Sequence, residues 1–131
     1  MFNFEKLDVW QKAIDFADLI YNHTRQFPAD ERFGLTNKMR RAAVSIPSNI
    51  AEGTSRMAQS DFRRFLEIAS GSAFESISQA FVGRRQGLLT EDAFAALHSS
   101  AEEVGRMLSG LRKSVSAKLL SVDLSTMNYQ P

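Results

Sequence analysis

Residues 90–115 read TEDAFAALHSSAEEVGRMLSGLRKSV, and within them Phe94, Leu97, Ala101, Val104, Leu108, Leu111 and Val115 recur at alternating steps of three and four. That spacing puts every one of these side chains on one stripe of a helix with 3.6 residues per turn. Thr90 stands where a capping hydroxyl belongs, so the pattern predicts a helix over 90–121. No other stretch of the chain is as regular. A helix with a single apolar stripe needs other helices or a sheet to cover it, and the segments upstream are read with that requirement in mind.

The preceding segment carries Phe62, Leu66, Ala69, Ala73, Ile77 and Ala80 at helical spacing, with Ser60 as a capping residue and Gly87 as a stop, which predicts a helix over 60–86. Gly71 lies inside it, within Ala69–Ala73. A glycine in a helix interior costs about 1 kcal/mol against alanine, so close approach of another helix is expected there. Before it, Leu35, Met39, Ala42, Ala43, Ile46 and Ile50 predict a helix over 31–53, started by Asp30 and ended by Gly53. Pro47 falls in its middle. Proline removes a backbone donor and presses on the carbonyl of Ala43, so a kink or a break into two short helices is expected, with Ser45, Ser48 and Asn49 available for the freed groups.

The first helix is expected over 5–27. Leu7, Trp10, Ile14, Ala17 and Tyr21 form one apolar face, and Val9, Ala13, Phe16, Ile20 and Phe27 lie beside it. Together they cover about half the circumference, which is wider than one core contact needs. Pro28 ends the segment. Four amphipathic helices with short connections predict an all-α, antiparallel up-down-up-down four-helix bundle over 1–121, kinked at Pro47, with 122–131 as a frayed tail.

Composition agrees with one globular domain: 131 residues, 44% hydrophobic, 24% charged and three prolines. The absence of cysteine removes disulfides and thiol chemistry and suits a reducing compartment. No basic-then-apolar leader and no apolar run of about 18 residues is present, so a cytoplasmic protein with no membrane partner is expected. The net charge is only +1, yet residues 34–64 hold Lys38, Arg40, Arg41, Arg56, Arg63 and Arg64 against Glu52 and Asp61, a local excess of +4.

Catalytic groupings are hard to assemble from these residues. His23 and His98 are the only histidines, and neither has a glutamate three positions before it, as the dimetal sites of helix bundles require. Glycine-rich phosphate loops are absent, and no nucleophile, base and orienting group come together. The expectation is a protein without catalytic residues, cofactor, metal or small-molecule substrate.

Arg41, Ser45, Asn49 and Glu52 recur at steps of four, four and three along one face of the second helix. The stripe either fixes helix register through ion pairs and hydrogen bonds or grips a phosphate or an acidic segment. Arg56, Arg63 and Arg64 open the third helix, where cations oppose the helix dipole; solvated surface and phosphate contact are the two explanations. Arg84 and Arg85 lie in its last turn, where positive charge is favourable. Tyr21, Trp10 and the ten phenylalanines fall mostly on apolar faces, which predicts core or interface rather than base-stacking platforms.

Longer strings carry a resemblance. Leu7 to Ala13 (LDVWQKA), Phe27-Pro28, Gly34-Leu35, Met39 to Gly53 (MRRAAVSIPSNIAEG) and Phe65 to Ser72 (FLEIASGS) resemble the four-helix-bundle proteins encoded in intervening sequences of bacterial 23S ribosomal RNA genes, over about residues 7–115. The resemblance implies a bundle that forms a ring-like homo-oligomer, a pentamer, as in the related accessory proteins of diversity-generating retroelements. Those proteins present basic surfaces to nucleic acid. Carried onto this chain, Arg40, Arg41, Arg56, Arg63 and Arg64 would contact RNA or DNA, with Asn49 and Glu52 as structural partners. Without the nucleic-acid role, the same features would suit a protein-interaction adaptor.

Overall fold

The computed structural model describes residues 1–128, with side chains through Leu120. A 3₁₀ turn over Asn3–Lys6 leads into α1 (Asp8–Thr24). A short 3₁₀ turn and a π turn over Arg32–Thr36 then enter α2 (Asn37–Thr54), followed by α3 (Gln59–Arg85) and α4 (Glu91–Asn128). Each helix packs against its neighbours in the chain, and α1 closes the ring against α4. The connections are short, so neighbours run antiparallel in the expected up-down-up-down bundle.

The core is mainly apolar, with Thr24 and Ser76 as buried polar side chains bonded to backbone carbonyls of their own helices. Phe16, Ile20, Met39, Ile46, Ile50, Leu66, Leu97, Val104 and Leu108 are all less than 2% exposed. Side chains of this size contribute about 1.5–3 kcal/mol each when fully buried. The α4 stripe is buried as expected except for Leu111, which is half-buried. On α1 the two apolar rows exchange roles. Val9, Ala13, Phe16 and Ile20 enter the core, whereas Leu7, Trp10 and Ile14 are half-buried and Tyr21 is exposed. The flanking row is partly covered by its own surroundings, since Phe4 tilts against Trp10 at 5.0 Å and Phe2 stacks on Phe4 at 5.6 Å.

Helix ends depart from several expectations. α1 stops at Thr24 rather than 27: Thr24 Oγ1 donates back to the Ile20 carbonyl (2.7 Å), and Pro28 disfavours helical geometry in the residue before it. Asp30 does not cap the second helix. Gly34 takes non-helical angles (φ −101°, ψ −116°), and the Glu31 carboxylate accepts the Leu35 N–H at 3.1 Å, so regular helix starts only at Asn37. Ser60 is likewise not a cap, because α3 already begins at Gln59. Thr90 is one, its Oγ1 accepting the Ala93 N–H at 3.1 Å. Gly87 ends the third helix with φ +74°, a conformation that favours glycine. Helix continues to Asn128 where a frayed tail was expected, since neither proline nor glycine interrupts 111–128; residues 129–131 lie outside those described.

Pro47 is buried inside α2, which passes through it as one helix, so the break into two does not occur. Asn49 Nδ2 donates to the carbonyl (2.8 Å) and hydroxyl (3.0 Å) of Ser45, and neither bond reaches the Ala43 carbonyl that proline frees.

Glycine closes a different contact from the one expected. A Cβ on Gly71 would meet nothing within 4 Å, whereas one on Gly53 would lie 2.9 Å from both Phe62 Cδ1 and Phe65 Cβ. Gly53 sits within α2 rather than terminating it, and its missing side chain admits the start of α3. Gly53→Ala is therefore expected to destabilise the fold by about 1–3 kcal/mol. Gly71→Ala, in open helical surface, should stabilise it by up to about 1 kcal/mol. Chemical denaturation of the two variants checks the contrast; equal effects would overturn the assignment of the close approach.

Candidate nucleic-acid interface

Lys38, Arg41, Ser45, Asn49 and Glu52 follow one another at steps of three and four, which places them in a row along the side of α2 that borders α3, with Arg56 just past the helix end. The middle of the row is tied to α3, because Ser45 Oγ and Ser72 Oγ share a hydrogen bond of 2.8 Å. Ser72 also anchors its own helix, its carbonyl accepting Ser76 Oγ at 2.9 Å. Asn49 Nδ2 donates to Ser45 from within α2, so Ser45 is bonded both along its own helix and across to α3. Glu52 does not reach Arg41. It accepts from Arg56 Nη2 at 3.0 Å, and the stripe divides into a bonded centre with separate ends.

The five arginines expected at the interface do not form one patch. Arg40 turns toward α1, where its Nε donates to Thr24 Oγ1 (2.9 Å) and its guanidinium lies 4.5 Å from the centre of the Tyr21 ring. Arg56 and Arg64 share the Phe65 ring at 4.9 and 5.0 Å. Arg63 pairs with Glu67 at 3.8 Å. Arg41 is exposed, and among the described residues no carboxylate lies within 4.0 Å of it, of Lys38 or of Arg64. From Arg41 to the end of α2 the rise is about 20 Å. Cations thus cluster at two ends of one face, with neutral hydrogen-bonded groups between them.

Arg41 divides two depressions. One, of about 500 Å³, faces α1 and includes Tyr21, Arg40 and Ser48. The other, of about 670 Å³, lies between α2 and α3 and is lined by Phe33, Asn37, Lys38, Ser72, Glu75 and Gln79. Phe33 is 86% exposed, as are Phe2 and Phe74 at 72% and 79%, so these three rings lie outside the core, the first of the two places expected for the aromatic residues. Sequence reasoning missed Phe33, Asn37, Lys38 and Gln79 as a group. The available signal was register, since Phe33 does not continue the stripe of Leu35, Met39 and Ala42, but the turn at Gly34 that aims it outward has no such mark.

At the far end of α3, Arg84 serves structure. Arg84 lies 4.0 Å from the centre of the Phe94 ring and pairs with Glu91 at 3.6 Å. Phe81 meets Phe94 edge-on at 4.8 Å, and His98 Nδ1 stands 2.8 Å from Glu102 Oε1.

The arrangement of residues 5–110 has a counterpart in sequence, because the chain matches the family described as 23S rRNA-intervening sequence protein over that range. The chain belongs to this family. The match takes in α1, α2, α3 and more than half of α4, and with them every arginine discussed above. A crystal structure of a protein of unknown function from the S23 ribosomal protein family of Bacteroides thetaiotaomicron superposes with a TM-score of 0.74 at 24% identity. The overlap covers 80% of this chain and 98% of that one, and it shows a shared fold. Among curated proteins, none matches the chain. Among the described residues, no helix is long and apolar enough to cross a membrane.

The Ser45–Ser72 bond makes a measurable claim. Ser72→Ala should lower the unfolding free energy by about 1 kcal/mol. In a double-mutant cycle, adding Ser45→Ala should cost less than it does alone, because the shared bond is already gone. Strict additivity in denaturant titrations would show that the two hydroxyls do not act together.

Proposed function

We propose that the protein is a non-enzymatic, cytoplasmic, homo-oligomeric bundle that binds RNA or DNA through phosphate contacts on the outer face of α2 and α3. The observation that supports this reading is the exposure of Lys38, Arg41 and Arg64, none of which has a carboxylate within 4.0 Å among the described residues, on a face whose central groups are already bonded to one another. Surface cations normally find acids at low cost, as Arg63 and Arg56 do. Cations left free at both ends of one face suit an extended polyanion, and arginine's paired donors match phosphate oxygens. Membership of the family adds weight, since the resemblance extends to related accessory proteins that present basic surfaces and work with a reverse transcriptase and nucleic acid.

Binding of this kind releases counterions. Affinity for ribosomal RNA or duplex DNA, measured by fluorescence anisotropy, should fall steeply as salt rises. Arg41→Ala should weaken binding and reduce the slope of log affinity against log salt by about 0.7–0.9. Arg63→Ala, whose guanidinium already has Glu67, should change it less. Affinity that is undetectable at moderate salt, or insensitive to it, sinks the phosphate-contact reading.

Self-association is the second part of the proposal. Between α3 and α4 runs an open groove of about 540 Å³ that includes Ala73, Ile77, Ala101 and Gly105, with Phe74 at its edge. An aromatic side chain this exposed costs solubility unless something covers it. A further copy of the chain is the proposed cover, with a ring of five as the expected assembly. Phe74→Glu should lower the mass seen by light scattering without loss of helicity. The alternative, an adaptor for another protein, rests on the same groove and gains if the chain is a monomer that co-purifies with a stoichiometric partner.

A further inference from the structure

Phe33 is presented by a turn built to present it. The turn departs from helix at Gly34, and its geometry is fixed by the Glu31 carboxylate, which accepts the Leu35 N–H at 3.1 Å. The ring therefore stands at the rim of the depression between α2 and α3 instead of joining the apolar stripe that begins at Leu35. The Arg32 guanidinium lies 5.6 Å from its centre, within reach of a cation–π contact. The depression is lined by Lys38 and Arg41, neither of which has a carboxylate within 4.0 Å among the described residues, by the amides of Asn37 and Gln79, and by the Glu75 carboxylate. Gln79 Oε1 is buried and has no hydrogen-bond partner among the described residues, while its Nε2 makes only a 3.4 Å contact with Glu75.

From this grouping we infer that the ligand at this face is a single-stranded nucleic acid, with one unpaired base stacked on Phe33 and its flanking phosphates on Lys38 and Arg41. The inference rests on the phosphate-binding reading above and narrows it to a substrate class. In a duplex both faces of every base are already occupied by neighbours, so an exposed ring gains nothing from it. An unpaired base offers its face to the aromatic ring and its edge to the amides, which is how single strands are recognised. A protein partner fits less well. Interface cores are depleted in lysine, and covering Phe33 with an apolar surface would enclose two cations, Lys38 and Arg41, with Glu75 as the one acid lining the depression.

The test compares an unstructured, dye-labelled oligoribonucleotide with a duplex of the same length, each titrated with the full chain at one moderate salt concentration. The single strand is expected to bind more tightly. Phe33→Ala should weaken single-strand binding on the order of tenfold and leave duplex binding within about twofold, since base–aromatic stacking contributes on that scale. Phe33→Trp should restore it. The ring is outside the core, so circular dichroism should show unchanged helicity in both variants. If strand and duplex bind equally and Phe33→Ala changes neither, the stacking inference is wrong while the phosphate reading stands. If Phe33→Ala weakens both alike, or instead changes the oligomer mass, Phe33 has another role and the inference is overturned. If neither nucleic acid binds the wild-type chain, both readings fail together.

Discussion

The distance between α2 and α3 governs the outer face of this protein. It is set at one point by Gly53, which has no side chain to hold off Phe62 and Phe65, and at another by the 2.8 Å bond between Ser45 and Ser72. Contact at two heights fixes both separation and rotation. With rotation fixed, the row from Lys38 to Glu52 must run beside α3, and the depression under Phe33 has the width it has. A larger residue at 53 would not simply loosen the core. It would also change which side chains of the two helices face each other across the surface.

Much of the bundle was legible because burial leaves a periodic record. The α4 stripe predicted its own core positions, and α2 and α3 did so nearly as well. On α1 two adjacent apolar rows were visible, and nothing local said which would face inward. The decision came from the rest of the bundle, since Phe16 and Ile20 fill the centre while Trp10 is covered at the edge by Phe4. Caps were less legible. Asp30 and Ser60 have the right chemistry in the wrong places: the residue before α3 is Ala58, ahead of Ser60, and regular α2 begins only at Asn37, well past Asp30. Glu31 serves the turn instead because Gly34 displaces the start of α2.

The charged residues were harder to read because sequence proximity is a poor guide to which acid a cation meets. An excess of +4 over residues 34–64 describes a segment, whereas the surface has two cationic ends joined by a neutral centre. Glu52 shares a stripe with Arg41 but pairs with Arg56, one turn further along the chain. Arg40 and Arg41 are neighbours in sequence and about 100° apart around α2; one is held by Thr24, and the other has no carboxylate within 4.0 Å among the described residues. Glycine deceived for a related reason. Gly71 sits among small residues that suggest a close crossing, but Gly53 is the one placed against aromatic side chains of another helix.

The turn at Gly34 holds itself. Its hydrogen bond runs between residues 31 and 35, and the Phe33 side chain contributes almost nothing to the buried core. Position 33 is thus mechanically insulated from the bundle. A different residue there would change what the surface offers to a partner while leaving the packing of four helices unaltered, so the contact chemistry of such a fold is free to diverge faster than its architecture.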